Sequence, residues 1–277
     1  MYGPSRRRKR AAEFINRKND LSPNWCSRSG SKRKMKIRGD WGRKLKKMGL
    51  PAFSIATSVI DFIYPPLCFL CQNRLEKKER FICFACWEGL EILPQPFCSS
   101  QEYLRKVVGK VWFSASIAFY QYSPAVQRLI HQMKYQRMGS VANIFALVMG
   151  RRLKELIGTI PVDYIVPIPL HYTRERERGY NQAKLLAVRI SRESGIPLLE
   201  NCVRRRRYTT QQAKLDKNKR YQNVRDAFCV KNGEVIKDKT ILLTDDVLTT
   251  GNTMNECART LSLAGAREII ALTIVRV

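Results

Sequence analysis

The sequence predicts an α/β fold, a parallel sheet flanked by helices, preceded by a small cysteine-rich module. From Val111 onwards, short apolar runs that fit buried strands alternate with helical patterns. The last of these form a strand, a helix and a strand joined through Gly265. Such a βαβ unit has parallel strands, whose carboxyl ends share one edge of the sheet. Two Cys-x-x-Cys pairs ahead of this region predict the separate module.

The charge of the chain is its unusual property. It has 51 lysines and arginines against 23 aspartates and glutamates, a net charge of +28. A positive field of this size favours nucleic acid or phosphorylated ligands, although charge counts alone also fit a solvated surface. Nowhere does an uncharged apolar run reach the length of about 18 residues that a membrane span needs. Nine cysteines without a signal sequence indicate a reducing compartment, so we expect a cytoplasmic protein.

Residues 1–47 have the composition of a disordered basic extension, because basic runs alternate with Ser, Asn and Gly. Three explanations compete: a nucleic-acid-binding arm, a targeting segment, or residues that are not translated because synthesis begins at Met48. We favour the last, since the apolar part of the chain starts just after Met48.

The cysteine module is predicted over residues 48–104. Its two Cys-x-x-Cys turns each present two thiolates, and together they complete a tetrahedral site that suits Zn²⁺; the ligands are Cys68, Cys71, Cys83 and Cys86. A closed Cys₄ site has no open coordination position, so this zinc is expected to be structural and to fold a segment too short for its own core. Four buried or redox-active thiols are the alternative. Cys98 lies near this module without a partner at the next expected position.

The α/β domain is predicted over residues 105–277. Apolar runs and helical spacing give its elements in order: strand Val111–Tyr120, helices Ala125–Tyr135 and Val141–Ile157, strand Val162–Ile168, helix Tyr180–Ser194, strand Thr240–Thr244, helix Met254–Leu263 and strand Glu268–Val275.

The candidate ligand site follows the strand at Thr240–Thr244. Asp245 and Asp246 come where that strand should end, and the small-residue loop Thr249-Thr250-Gly251-Asn252-Thr253 opens the next helix. Amides at a helix start, a permissive glycine and hydroxyl donors suit a phosphate, while the acidic pair can accept hydrogen bonds from a diol. An ordinary turn with threonines as helix caps is the alternative. The interpretation requires that the acids are not salt-bridged inside the core and that the loop stays open.

Two further segments are expected near this site. Pro169 and His171 follow the second predicted strand and should face the same crevice. Arg174, Arg176 and Arg178 come next, in a segment predicted to be a mobile loop that closes over an anionic ligand, unless they form a solvated charged face.

A second basic block lies further along the chain. Arginines and an aromatic residue at close spacing suit a surface that tracks and stacks single-stranded nucleic acid; the candidates are Arg204, Arg205, Arg206, Arg207, Tyr208 and Lys214. An ordinary solvated surface explains the composition equally well.

These motifs resemble two known patterns. The stretch from Ile241 to Thr253 is similar to the signature of type I phosphoribosyltransferases. In their order along the chain, further motifs resemble ComF-type proteins: Cys68-x-x-Cys71 and Cys83-x-x-Cys86, His131-x-x-Lys134-Tyr135, Pro167-Ile-Pro-Leu-His171, Arg178-Gly-Tyr-Asn-Gln182, Arg207-x-Thr209-x-x-Gln212-x-x-Leu215, Arg220-x-x-Asn223 and Ala227-Phe228.

The resemblance implies a type I phosphoribosyltransferase-like parallel sheet flanked by helices behind a small Cys₄ zinc ribbon. It implies that Thr249 to Thr253 bind the 5-phosphate of phosphoribosyl pyrophosphate, with Asp245 and Asp246 holding the ribose hydroxyls near a Mg²⁺. The arginines at positions 174, 176 and 178 would stabilise the leaving pyrophosphate in any transfer. The family pattern often has a further Cys-x-x-Cys, of which this chain keeps only Cys98.

The family is associated with single-stranded DNA in bacterial natural transformation. We therefore expect a phosphoribosyl pyrophosphate-binding protein of competence and DNA uptake, with single-stranded DNA and DNA-uptake or helicase proteins as partners. One alternative is an active phosphoribosyltransferase of nucleotide salvage. The other is a zinc-ribbon adaptor that binds DNA without a small ligand. Enzyme activity is left open, because no stretch identifies an acceptor pocket.

Overall fold

A computed structural model describes residues 65–94, 96–98, 110–135, 139–157, 161–207 and 224–277. The predictions for residues 1–47, Tyr208 and Lys214 fall outside these ranges. The elements in chain order are α1 (Phe84–Glu88), β1 (Phe97–Cys98), β2 (Ala115–Tyr120), α2 (Pro124–Tyr135), α3 (Gly139–Ile157), β3 (Tyr164–Pro167), α4 (Tyr172–Arg178), α5 (Gln182–Ser194), β4 (Val203–Arg205), β5 (Phe228–Val230), a 3₁₀ turn (Gly233–Ile236), β6 (Thr240–Thr244), β7 (Val247–Leu248), α6 (Asn252–Leu263) and β8 (Glu268–Arg276).

The main sheet has the strand order β1-β2-β8-β6-β3, and β7 pairs with the carboxyl end of β8. All of its pairings are parallel except β1 with β2. Every residue of β2 and β6 is buried, as expected for strands of a parallel sheet covered on both faces. This arrangement confirms the predicted α/β fold and its last βαβ unit.

Helices α3 and α5 pack closely at one glycine. A Cβ atom on Gly150 would lie 2.6 Å from Cβ of Glu193 and 3.3 Å from Cα of Ile190. Because real Cβ atoms do not approach so closely, a larger residue at position 150 would push these two helices apart.

One predicted loop is wrong. The residues from Tyr172 to Arg178 form helix α4, although they show no apolar periodicity. The helix is defined by its ends instead: His171 is the N-cap residue, and Gly179 ends the helix with φ 81°, the left-handed conformation that glycine adopts most readily. Several boundaries also differ, by one to four residues. The first strand begins at Ala115 rather than Val111, and α5 begins at Gln182 because Asn181 caps it.

The cysteine module continues directly into the sheet. After α1, the backbone of Ile92 pairs with Tyr120, and Leu93 N–H donates to Phe119 O at 2.8 Å. Strand β1 then extends the outer edge of β2. Trp87 of α1 packs against Tyr120 and Phe145, with ring centres 6.2 and 5.1 Å apart. The module is therefore attached to the sheet by both backbone and aromatic contacts.

The opposite edge of the sheet and a small second sheet complete the fold. On the outer side of β3, Ile165 N–H donates to Pro197 O, and Ile165 O accepts from Leu199 N–H, both at 2.9 Å. Strands β4 and β5 form a separate antiparallel pair. None of the helices within the described ranges has the length and apolar character that crossing a membrane requires.

Candidate ligand-binding site

A cavity of about 420 Å³ opens where β3 and β6 end. Its walls come from α2, the segments after β3 and β6, α4, the start of α5 and β4. The lining residues are Tyr122, Gln127, Ile130, His131, Lys134, Ile168, Leu170, Arg174, Arg178, Asn181, Gln182, Arg205, Asp245, Asp246, Val247, Leu248, Thr249, Thr250, Gly251, Asn252, Thr253 and Met254. The sheet edge that the sequence predicts for the ligand is therefore a real concavity.

The acidic pair forms the floor of this cavity. Asp245 N–H donates to Leu272 O at 2.9 Å, and Asp245 Oδ1 accepts from Asp246 N–H at 2.8 Å. Asp246 is only 6% exposed, and its Oδ2 lies 3.1 Å from Lys134 Nζ. Both partners of this ion pair line the cavity, so the pair lies in the cavity wall rather than inside the core.

The surroundings of Asp245 change its protonation. Burial, and then the charge of Asp246, raise the pKa of Asp245 to about 7, against the opposing pull of Lys134 and Arg205. For Lys134, burial by itself lowers the pKa, but the two carboxylates outweigh it and the pKa is raised. Lys134 therefore stays protonated as the counter-charge of the pair.

The loop from Thr249 to Thr253 faces the same cavity. Gly251, with φ 74°, is the N-cap residue of α6, and a glycine has no side chain with which to cap the helix. The N-cap position itself is therefore not occupied by a threonine. Asn252 is 5% exposed, lines the cavity, and its Oδ1 has no hydrogen-bond partner among the described residues. First-turn amides without a side-chain cap form a suitable site for an anion.

Helix α4 contributes two of the three predicted arginines. Arg174 and Arg178 are four residues apart and both line the cavity, whereas Arg176 is exposed and does not. Arg178 Nη1 also donates to Gln182 Oε1 at 3.1 Å, which fixes one end of its side chain. The helical period separates Arg176 from the other two.

Pro169 and His171 do not line the cavity, while their neighbours Ile168 and Leu170 do. His171 is buried and lies at the start of α4, where its Nδ1 accepts from Thr173 N–H at 3.4 Å and lies 3.1 Å from Thr173 Oγ1. The role of His171 in this structure is to cap that helix.

Arg205 lies in the cavity wall instead of on an outer surface. It shares one face of β4 with the buried Val203, and its guanidinium lies 5.4 Å from the centre of the Phe228 ring. Burial, and then the charge of Arg174, lower the pKa of Arg205 to about 10. Arg204, Arg206 and Arg207 are exposed. Strand alternation separates Arg205 from Arg204, and Arg206 and Arg207 follow the end of the strand. The run of four arginines in the sequence does not reveal this difference.

The segment Arg178-Gly179-Tyr180-Asn181-Gln182 positions the site. Tyr180 Oη donates to Met133 O at 2.7 Å, and Gln182 Nε2 donates to the same carbonyl at 3.4 Å. Asn181 caps α5 and donates to Ile168 O at 3.0 Å. These bonds join the end of α2 to the residues after β3. They thereby hold Lys134, which follows Met133, at the acidic pair.

The four cysteines form a second site. The Sγ atoms of Cys68, Cys71, Cys83 and Cys86 all lie within 4.8 Å of one another. Backbone N–H groups point at the cluster, with Cys83 N–H donating to Cys68 Sγ at 3.4 Å. Four thiolates at this spacing fit a structural Zn²⁺. Cys98 lies in β1 and is not part of the cluster.

Fold and sites together define a phosphoribosyltransferase-type α/β domain that follows a four-cysteine zinc ribbon. Residues 59–101 match the double zinc ribbon domain model, and residues 160–277 match the phosphoribosyl transferase domain model.

The chain belongs to the ComF family of competence proteins. It is 30% identical over 215 residues to Competence protein F of Haemophilus influenzae, covering 73% of this chain and 93% of that protein. It is 29% identical to the DNA utilization protein YhgH of Escherichia coli, over 74% of this chain and 94% of that protein. Competence protein ComFC of Bacillus subtilis is 28% identical, over 76% and 84%.

A likeness to solved structures is weak. The allosteric regulatory enzyme of purine biosynthesis gives a TM-score of 0.34 at 19% identity, covering 48% of this chain and 26% of that enzyme's chain. No functional conclusion follows from a likeness of this size.

Proposed function

We propose that the cavity binds phosphoribosyl pyrophosphate together with Mg²⁺, and that the protein uses this ligand while handling single-stranded DNA during natural transformation. One observation carries the proposal: the acidic pair, the open helix start and the arginines of α4 line one cavity. Each matches one chemical part of that ligand, namely the sugar, the 5-phosphate and the pyrophosphate.

The charges of the cavity support a polyanionic ligand. Among the described lining residues, the cations are Lys134, Arg174, Arg178 and Arg205, and the anions are Asp245 and Asp246. Arginines bind phosphate oxygens by paired hydrogen bonds, and first-turn amides of α6 suit the phosphate at the other end of the sugar. The carboxylate oxygens accept hydrogen bonds from ribose hydroxyls.

The ligand would bring the Mg²⁺ with it, since this cation prefers oxygen ligands and binds mainly through phosphates with one or two carboxylates nearby. When bound, the ion would neutralise pyrophosphate charge. The arginines of α4 would share that task, and the acids would orient the sugar.

Calorimetric titration with phosphoribosyl pyrophosphate, with and without Mg²⁺, tests the ligand. We expect Mg²⁺-dependent binding that is lost when Asp245→Asn and Asp246→Asn are combined. Asp238→Asn is the matched control, because Asp238 is exposed, lies outside the cavity, and has φ 57°, which asparagine tolerates. Absence of binding by the native protein in Mg²⁺ would rule the ligand out. Released pyrophosphate on adding a base would instead identify a transferase.

The exposed arginines next to the cavity support contact with DNA. Arg204, Arg206 and Arg207 are exposed, and the three relatives described above are named for competence or DNA utilization. Binding through phosphates predicts an affinity that falls with salt.

A triple substitution of Arg204, Arg206 and Arg207 by Ala should weaken binding of a single-stranded oligonucleotide and reduce the salt dependence. The control is a triple substitution of Arg128, Lys154 and Arg192 by Ala, which removes the same charge from exposed positions on α2, α3 and α5. Equal affinities of the two triple variants would exclude this block as the DNA surface.

A further inference from the structure

The ion pair between Lys134 and Asp246 places a cation of the protein itself at the acidic pair. Lys134 belongs to α2, which precedes the residues that match the phosphoribosyl transferase model. Its ammonium nitrogen lies 3.1 Å from Asp246 Oδ2, at the floor of the cavity. A fixed positive charge of the protein therefore lies where a divalent cation would otherwise neutralise these acids.

Lys134 is held in this place by neighbours on another part of the chain. Met133 O, one residue before it, accepts hydrogen bonds from Tyr180 Oη and Gln182 Nε2. Gln182 is in turn bonded to Arg178, a cavity residue. The network therefore fixes the backbone at the end of α2, from which the side chain of Lys134 reaches Asp246.

Burial makes this counter-charge important. Asp246 is 6% exposed, and the side chain of Lys134 is 26% exposed. A buried carboxylate without a partner is strongly unfavourable, so it must be protonated or take another cation. With Lys134 in place neither is needed, and a metal ion that approached Asp246 would have to displace the ammonium.

We propose that Lys134 is the resident counter-ion of the acidic pair, so that a phosphorylated ribose enters the cavity without a divalent cation at Asp246. This inference rests on the proposed function, because it assumes that the cavity takes a ribose phosphate. The described part of the cavity wall also contains three arginines, which attract a sugar phosphate without a divalent cation. A ligand with a pyrophosphate brings more negative charge, and its Mg²⁺ is held mainly by its own oxygens.

The test is titration with ribose 5-phosphate, which has the sugar and the phosphate but no pyrophosphate. The native protein should bind it equally well in EDTA and in Mg²⁺, within about twofold. Lys134→Met, which keeps the length and removes the charge, should bind about tenfold more weakly in EDTA. Mg²⁺ should restore most of that loss, because the free carboxylates can then take the ion.

Two matched variants isolate the role of the charge. Lys134→Arg keeps a cation and should recover most of the binding in EDTA that Lys134→Met loses. Lys184→Met removes the same charge from α5, where Lys184 pairs with Glu200 at 2.8 Å and does not line the cavity, and it should bind like the native protein. Thermal unfolding without ligand gives a separate readout: Mg²⁺ should raise the Tm of Lys134→Met more than that of the native protein.

The outcomes separate this inference from the proposed function. If the native protein binds neither ribose 5-phosphate nor phosphoribosyl pyrophosphate, both fail. If it binds phosphoribosyl pyrophosphate but takes ribose 5-phosphate only with Mg²⁺, the counter-ion role is overturned and the proposed function stands. Equal binding by Lys134→Met and the native protein in EDTA would overturn it in the same way.

Discussion

The zinc ribbon and the α/β sheet are stabilised by different interactions. Among the described residues of the ribbon, the buried hydrophobic ones are Cys68, Leu75, Ile82 and Leu90. In the sheet, by contrast, β2 and β6 are buried along their whole length. A segment with so few buried side chains cannot offset its conformational entropy by burial alone, whereas the sheet can. Metal coordination stabilises the first part, and apolar packing stabilises the second.

The largest expected effect comes from removing the metal. Chelation, or Cys68→Ser with Cys71→Ser, should unfold the ribbon, because coordination by four thiolates contributes about 10 kcal/mol or more to such modules. Hydrogen exchange should then increase at residues 68–90 and change little in β6 and β8. Cys98→Ser should keep its zinc, since Cys98 lies outside the cluster. Loss of protection in β6 on chelation would show that the two parts fold as one unit.

A core substitution tests the other side of the comparison. Leu243 is fully buried in β6. Leu243→Ala should lower the free energy of unfolding by about 2–5 kcal/mol, because it removes apolar contacts and leaves a cavity. Urea denaturation measures this loss, which should be the same with and without chelator. A loss that disappears in chelator would mean that the sheet depends on the metal.

The dependence on pH should have opposite signs in the two parts. The folded state raises the pKa of Asp245 to about 7. Between about pH 4 and pH 7 the folded protein therefore holds a proton that the unfolded chain releases, so this group makes stability fall as pH rises. One proton limits the slope to about 1.4 kcal/mol per pH unit.

The zinc ribbon should become more stable over the same range, since its thiols must lose protons to bind metal. Urea denaturation of Asp245→Asn across this range, with the zinc ribbon loaded, is the measurement. The variant should lack the part of the decrease in stability with rising pH that Asp245 causes. The same dependence of stability on pH in the variant and the native protein would contradict the assignment to Asp245.

The smallest expected effect concerns the contact between the two parts. Trp87 of the ribbon packs against Tyr120 and Phe145 of the α/β domain. Beyond the area that it buries, each such aromatic pair contributes about 1 kcal/mol. Trp87→Ala should destabilise the zinc-loaded protein and have no effect after chelation, because the ribbon is then already unfolded. A double-mutant cycle with Phe145→Leu measures the coupling; zero coupling would contradict a packed interface.

The sequence predicted those parts of the site that are continuous along the chain. Residues 245–253 and the four cysteines each form a local pattern, because one loop or two turns contain the whole arrangement. Lys134 and Arg205 were not recognised as cavity residues, since each reaches the acidic pair from a distant element. In addition, Arg205 belongs to a run of four arginines, in which the sequence does not distinguish it from its neighbours.

Helix α4 shows a second limit. Its charged residues have no apolar face from which a helix could be predicted, and its caps, His171 and Gly179, are recognisable only once the ends are known. Prediction from periodicity fails for a short surface helix that its end residues define. The helix places Arg174 and Arg178 on the side that lines the cavity, whereas Arg176 lies outside the cavity.

Strand β1 also has a consequence for solubility. It covers the edge of β2, while the backbone around Pro197 covers β3 at the other side. Uncovered strand edges recruit strands from other molecules and lead to aggregates. Because β1 lies within the residues that match the zinc ribbon, metal depletion would expose one of these edges. In a cell that lacks zinc, this protein would then aggregate before its ligand-binding cavity unfolded.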